Sequence, residues 1–501
     1  MKHFIFYLSL LLPLLLGAQN TWTKKYDFSM TDWPWSQVEV SDGYVIMMAC
    51  QYVEGAPIPP VLIKVDKQGE LVWACTPEPV VYFSDSPITP HRCVLAPDST
   101  LLVCGRIATS DTTAAVFVIK VSQQGEIIWN KLYKESYRYY EYYWTEQIAT
   151  WPNGDFVVTG VYYRYDDTPN SMFLLKCNAE GDLLDDIKIN YPPVLYAGYE
   201  GGDSGNPVIL PDGDIFFCFF ARWNTRYHPI LNRLDSNLKL KWQKEATVMG
   251  RSYELVMASD GNILMYVEGG YNNYPWGADP IVQKLTPDGD SLWTYSPPGI
   301  NSQLCHDMSV LTNGNIVFTG TPDYFEWLRC ISADGHYLWH RKFRSPVDKP
   351  NDRMRFQKVM GTSDGGMLIA GYYRHAGTGG NYDAILLKLD GNGCLMPDCD
   401  VEFYLTDTKE PGGGSLERPP YFLLRTNMPR PGMPIEVRLG EGFGEGRLRL
   451  FSAAGRLASE QKVLENSQAE VPTRSLSPGI YVLVLEGRGG ALQTERVLVT
   501  F

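Results

Sequence analysis

The chain has 501 residues, 44% of them hydrophobic and 20% charged, with a formal charge of −13. Such a composition excludes a disordered chain, and the length allows about three domains. The acidic balance excludes the basic stripe that a nucleic-acid partner would need, and it disfavours an anionic membrane surface.

Lys2 and His3 precede an apolar run from Phe4 to Leu16, and Gly17-Ala18 places small residues before Gln19. This is the pattern of a cleavable signal peptide at residues 1–18, so a secreted protein is expected. The run is shorter than the roughly 20 apolar residues that cross a bilayer, and no transmembrane segment is expected in the mature chain.

A turn followed by an apolar run then recurs seven times. The turns are Ser41-Asp42-Gly43, Pro97-Asp98-Ser99, Pro152-Asn153-Gly154, Pro211-Asp212-Gly213, Ser259-Asp260-Gly261, Thr312-Asn313-Gly314 and Ser363-Asp364-Gly365. Six steps from position 43 to position 365 give a period of about 54 residues. After each turn comes an apolar strand that often ends in Lys, a second turn, and a strand carrying Trp. Val61-Leu62-Ile63-Lys64 leads through Gly69 to Trp73, and Phe117-Val118-Ile119-Lys120 leads through Gly125 to Trp129. In the third unit Asp185 stands at the Trp position, and in the fourth Arg233 leads to Trp242 without the glycine. Asp-Gly and Asn-Gly between apolar runs mark hairpins, so each unit reads as four antiparallel strands. Four strands at this period make a propeller blade, and the expected fold is all-β: a seven-bladed β-propeller over residues 19–400.

The seventh unit stops early, with Pro397 at its Trp position, and proline does not fit an inner strand. Thr21-Trp22-Thr23-Lys24-Lys25-Tyr26 matches Ile128-Trp129-Asn130-Lys131-Leu132-Tyr133. The N-terminal segment is therefore expected to supply the outer strand of the last blade. These features resemble secreted seven-bladed propellers with an Asp-Gly turn and a Gly-x-x-x-Trp strand. The resemblance implies a fold and leaves function open.

Cys394 and Cys399 bracket the end of the repeats, and a local disulfide is expected between them. Residues 401–420, with Pro411-Gly412-Gly413-Gly414 and Pro419-Pro420, read as a linker. Residues 421–501 alternate in short strands, as in Pro434-Ile435-Glu436-Val437-Arg438-Leu439, and read as a small antiparallel β-sandwich. The order of the Phe451-Ser452-Ala453-Ala454-Gly455-Arg456 turn, the Leu476-Ser477-Pro478-Gly479-Ile480-Tyr481 entry and a final apolar strand resembles the type A C-terminal sorting domain of the type IX secretion system. Asn427-Met428-Pro429 stands where such domains open with an Asn-Pro pair. The resemblance implies that residues 421–501 engage the type IX machinery, with the outer-membrane exterior as destination.

Chemical signatures are sparse. Gly202-Asp203-Ser204-Gly205-Asn206-Pro207 is similar to the nucleophile loop of trypsin-like proteases, but it falls between two repeats with no matching His segment, and reads as an inter-blade loop. His336 and His340 would lie about 13 Å apart on a strand, too far to share a metal. The Gly-x-x-x-Trp strands resemble those of quinoprotein dehydrogenases, but no Cys-Cys pair accompanies them. No metal, cofactor or catalytic residue is assigned. Asp166, Asp167, Asp323, Glu326 and Asp383 lie in expected loops and could support an extracellular polysaccharide hydrolase or lyase, the alternative reading. The preferred reading is a binding module for glycan or protein. It uses rim aromatics in the loops: Tyr142, Trp144, Tyr163, Trp223, Tyr274, Trp276, Tyr324, Trp327 and Tyr373.

Overall fold

The computed structural model describes residues 20–26, 32–50, 61–77, 88–109, 113–137, 141–164, 171–190, 202–204, 206–223, 226–270, 278–297, 304–321, 326–344, 353–374, 382–395, 399, 402–404, 422–424, 434–439, 444–452, 457–465, 467–477, 479–487 and 490–499. Residues 1–18 lie outside them. Blades 1 to 6 are antiparallel sheets built from consecutive strands at 32–75, 88–137, 141–190, 202–245, 251–295 and 304–344. Blade 7 takes three strands from 353–389, and its outer strand is Trp22–Tyr26.

The closure keeps the register of the other blades. Trp22 faces Lys388, as Trp73 faces Lys64, Trp129 faces Lys120 and Trp293 faces Lys284. The first strand of each blade lies beside the first strands of both neighbours, and 353–361 lies beside 32–40, so the sheets close a ring. The protein is thus a seven-bladed β-propeller. Middle strands are apolar on both faces because each sheet is covered by a neighbour on either side. Thr113–Val121 is buried at every position but its first. Outer strands such as Ser291–Tyr295 stay half-exposed.

Two side-chain devices repeat around the ring. The first is an indole from one blade laid on a turn glycine of the next: Trp22 on Gly69, Trp73 on Gly125, Trp129 on Gly181, Trp242 on Gly289, Trp293 on Gly335 and Trp339 on Gly393. These glycines have φ between +74° and +85°, and a Cβ on Gly393 would sit 2.7 Å from the Trp339 ring. Only glycine admits both the backbone and the approach. Trp22 and Trp73 also donate their indole N–H to Lys67 and Gln123 carbonyls at 2.8 Å. The second device is an ion pair between the Lys that ends the third strand and the Asp of the first turn. It joins Lys64–Asp42, Lys120–Asp98, Lys284–Asp260 and Lys388–Asp364 at 2.7–2.9 Å, and Arg233–Asp212 repeats it in blade 4. In blade 6 the turn has Asn313 and the Lys position holds Cys330, so both charges are absent together.

After blade 7, Cys394 and Cys399 are disulfide-bonded, with Cα atoms 5.7 Å apart. Thr21 donates its hydroxyl to the Leu395 carbonyl, which places this loop against the closing strand. Residues 402–404 fell within the expected linker. They form a strand instead, parallel to Tyr337–Arg344, and cover the outer edge of blade 6. In the C-terminal segment, Phe422–Leu424, Ile435–Leu439 and Gln468–Val471 make one sheet. Leu457–Leu464, Glu445–Ser452, Gly479–Gly487 and Gly490–Val499 make a second. Ile435, Val437 and Val471 of one sheet share a core with Leu448, Leu450, Leu483 and Val497 of the other. Tyr481 donates its hydroxyl back to the Ser477 carbonyl at 2.8 Å, which fixes the turn that enters the second sheet.

Candidate functional site: the axial ring and its mouth

The innermost strand of each blade runs toward its first turn. Seven residues before the turn position stand Ser36, Arg92, Gln147, Asn206, Glu254, Asp307 and Lys358, one per blade in ring order. All seven are polar. In six blades the pairing register slips immediately before this residue, at Pro34/Ser36, Pro90/Arg92, Thr145/Gln147, Ser252/Glu254, Cys305/Asp307 and Phe356/Lys358. A bulge at a fixed place re-aims the following side chain. In blade 4 the strand is broken instead, into Gly202–Ser204 and Val208–Ile209, with Asn206 in the break. The segment expected to be an inter-blade loop is therefore the axial strand of blade 4.

Arg92 Nη2 lies 3.3 Å from Glu254 Oε1, a contact between blades 2 and 5 that crosses the axis. Lys358 Nζ lies 3.3 Å from Asp307 Oδ1 in the neighbouring blade, and Asp307 Oδ2 accepts the Val359 N–H at 2.8 Å. Ser36 donates to the Cys93 carbonyl at 2.9 Å and accepts the Cys93 N–H at 3.1 Å. The Arg92–Glu254 bridge thus splits the ring. On the side of blades 6, 7 and 1 the groups are partnered. On the side of blades 3 and 4, Gln147 Oε1 and Asn206 Oδ1 are buried with no hydrogen-bond partner among the described residues. Burial pushes the Glu254 carboxyl up to about 7; Arg92 pulls against this and the Asp307 charge adds to it.

Toward the mouth, on the side away from the first turns, stand the bulge residues. Trp35 and His91 meet edge-on with ring centres 5.7 Å apart. Burial, then Arg106, pushes His91 down to about 3, and burial, then Arg355 and Lys358, does the same to His306. Both imidazoles are thereby held in the neutral form at pH 7. Trp33 packs against Tyr372 and Tyr382, each at 5.7 Å. Trp33, Trp35, His91 and Tyr372 are all half-buried and so keep part of their surface open.

The rim aromatics are distributed differently from the sequence expectation. Tyr142 and Tyr163 face each other on adjacent strands of blade 3, and Trp144 pairs with Val161. Trp223 ends the second strand of blade 4, opposite Arg226. Tyr274, Trp276 and Tyr324 lie outside the described residues. Trp327 and Tyr373 are 3% and 6% exposed and belong to the core, not to an open rim. Trp327 sits edge-on to Phe318 at 5.6 Å, because the third strand of blade 6 begins at Glu326 and carries it inward. Of the acidic loop candidates, Glu326 is buried and accepts the Phe356 N–H at 3.0 Å, and Asp383 is buried against Lys25. Asp166, Asp167 and Asp323 lie outside the described residues. The axial ring itself was missed; the constant spacing of seven to each turn was the signal that could have found it.

No family model matches this sequence, and no curated protein matches it. Solved structures do match. A streptogramin B lyase aligns with TM-score 0.43 and 13% identity, over 74% of this chain and 98% of its own. The β-propeller domain of the trilobed protease from Pyrococcus furiosus aligns with TM-score 0.43 and 9% identity, over 78% of this chain and 100% of its own. A polysaccharide lyase, Uly1, aligns with TM-score 0.44 and 12% identity, over 74% of this chain and 93% of its own.

Proposed function

We propose that this is an exported binding propeller that holds a carbohydrate at the mouth of its axial channel. The observation that carries this reading is the half-buried Trp35–His91 pair above an axial ring whose four charges are engaged in two ion pairs. Indole faces stack on sugar rings and neutral imidazoles bond hydroxyls, while the paired charges hold the blades together at the axis. The test is a tryptophan-fluorescence titration of the chain from residue 19 with soluble oligosaccharides. Binding that Trp35→Ala weakens about ten-fold supports it. No response to any glycan, or binding that Trp35→Ala leaves unchanged, overturns it.

One observation favours a second reading, a hydrolase or lyase. Glu254, its carboxyl raised to about 7, neighbours Asp307, which Lys358 engages. A carboxyl that can take up and release a proton near pH 7, beside a carboxylate held by a lysine, is an acid–base combination. Release of reducing or unsaturated ends, abolished in Glu254→Gln, would establish that reading.

We further propose export through the type IX system, with residues 1–18 as signal peptide and 421–501 as sorting domain. The support is the resemblance at Leu476 to Tyr481 and the two-sheet core behind it. In a host with that system, deletion of 421–501 should leave the propeller in the periplasm. Continued secretion would refute the assignment.

A further inference from the structure

Resting on the carbohydrate reading above, we infer that the axial ring contains a subsite for one neutral sugar unit, on the blade 3–blade 4 side of the Arg92–Glu254 bridge. Gln147 and Asn206 follow each other around the ring, and each buries a carbonyl oxygen that accepts no hydrogen bond from the described residues. Asn206 is 8% exposed, so bulk water does not satisfy it freely. A buried acceptor left without a donor is destabilising, and two in succession around the ring mark a place where donors are supplied from outside the chain.

Charge selects the kind of donor. Arg92 stands next in the ring to Gln147, and its guanidinium reaches across to Glu254, which follows Asn206. A cation placed between the amides would face that guanidinium. Among the described residues, no group of three His, Cys, Asp or Glu side chains could hold a metal ion. A pair of sugar hydroxyls suits the site better. They donate to Gln147 Oε1 and Asn206 Oδ1 and accept from the guanidinium N–H groups that Glu254 does not take. Arg92 keeps 22% of its side-chain surface exposed, so the bridge is reached from solvent. The terminal unit of a chain stacked at Trp35 would occupy this side.

The experiment uses the chain from residue 19, its Asn206→Leu and Gln147→Met variants, and Trp35→Ala. The probes are the methyl glycosides of glucose, galactose and mannose, glucuronate, and the oligosaccharides of the mouth titration. The expected result is binding of at least one neutral glycoside, weakened about ten-fold or more in Asn206→Leu and Gln147→Met. Melting temperatures of the ligand-free variants should equal or exceed that of the parent, because a lone acceptor has been replaced by an apolar group. Equal glycoside affinity in parent and variants overturns the inference. So does a lower ligand-free melting temperature, which would show that internal water already satisfies the amides. Preference for glucuronate overturns the choice of a neutral sugar. If oligosaccharides bind parent and ring variants alike but Trp35→Ala poorly, the mouth reading stands and the subsite falls. If nothing binds, both fall.

Discussion

Asp185 and Leu238 occupy, in adjacent blades, the two halves of a contact that the other blades make with Trp and Gly. Asp185 faces Lys176 in the register where Trp73 faces Lys64, and Leu238 closes the turn that Gly69 closes in blade 1. Leu238 adopts φ +61°, unusual outside glycine, and is 2% exposed in the core shared by blades 3 and 4. In six interfaces the Cβ direction at this turn points into an indole; here the leucine fills that direction itself. The two changes are one repacking.

Asp185→Trp alone should therefore gain nothing, for want of a glycine to lie on. Leu238→Gly alone should destabilise by about 2 kcal/mol, the lost burial outweighing the relieved left-handed backbone. Together they should couple favourably by at least about 1 kcal/mol in a double-mutant cycle read by urea denaturation. Simple additivity would mean that the two positions are independent.

Two glycines with the same backbone separate conformation from packing. Gly125 has φ +85° and a Cβ there would lie 3.2 Å from the Trp73 ring, whereas Gly213 has φ +86° with no heavy atom within 4 Å of such a Cβ. Gly213→Ala should cost about 1 kcal/mol, the left-handed penalty alone. Gly125→Ala should cost about 1–2 kcal/mol more, since the indole must shift. Equal losses of melting temperature would show that the indole moves freely.

The buried Lys388–Asp364 pair should respond asymmetrically. The lysine side chain is 1% exposed and the carboxylate 39%. Asp364→Ala strands a buried ammonium and should cost about 3–5 kcal/mol, whereas Lys388→Met leaves a carboxylate that water reaches and should be nearly neutral at pH 7. The acid response follows. Burial opposes ionisation of Asp364, but Thr362 and Lys388 outweigh it and hold the carboxyl below the usual 3.8. The unfolded chain then takes up the proton first. The stabilisation is complete above about pH 5 and is lost as pH falls through the depressed value, below 3.8. Lys388→Met should flatten this part of the acid-stability curve, measured by melting between pH 5 and 2. An unchanged slope would assign the acid response to other carboxylates.

The disulfide should act at the seam. It closes a loop with a sequence separation of 5, for which chain entropy gives about 2 kcal/mol. A Cys394→Ser/Cys399→Ser variant should lose about that much in urea. Cys93, Cys104 and Cys330, buried and with thiols pushed up to about 12, should resist alkylation at pH 8 in the native protein. Rapid labelling of these three would show that the blades open readily.

Much of the fold was legible because a repeat writes each rule several times. Asp-Gly turns at constant spacing, and a Trp strand missing from one end and present at the other, were enough to send the N-terminal segment to the outer edge of the last blade, where Trp22 stands opposite Lys388. The axial site was harder. Its residues share polarity and a distance to the turn but no residue type, so they do not align as a motif. Trp327 failed as a rim residue because strand ends depend on pairing, and Glu326 pairs with Phe343 where the sequence alone suggested a loop. The Arg92–Glu254 bridge could not be read at all, since 162 residues separate its ends and only ring closure brings them together.

Pairing Trp22–Tyr26 with Tyr382–Leu389 also sets an order of events during synthesis. Six blades can form their sheets as the chain emerges, but the seventh has no outer edge until its last strand exists and meets the oldest segment. Bringing together ends about 360 residues apart costs roughly 5 kcal/mol of loop entropy if the chain between them is unstructured, and far less once six blades have curved toward each other. The ring is then a late, all-or-nothing event. Until it happens the chain remains an open arc, with the outer edge of its seventh blade unpaired.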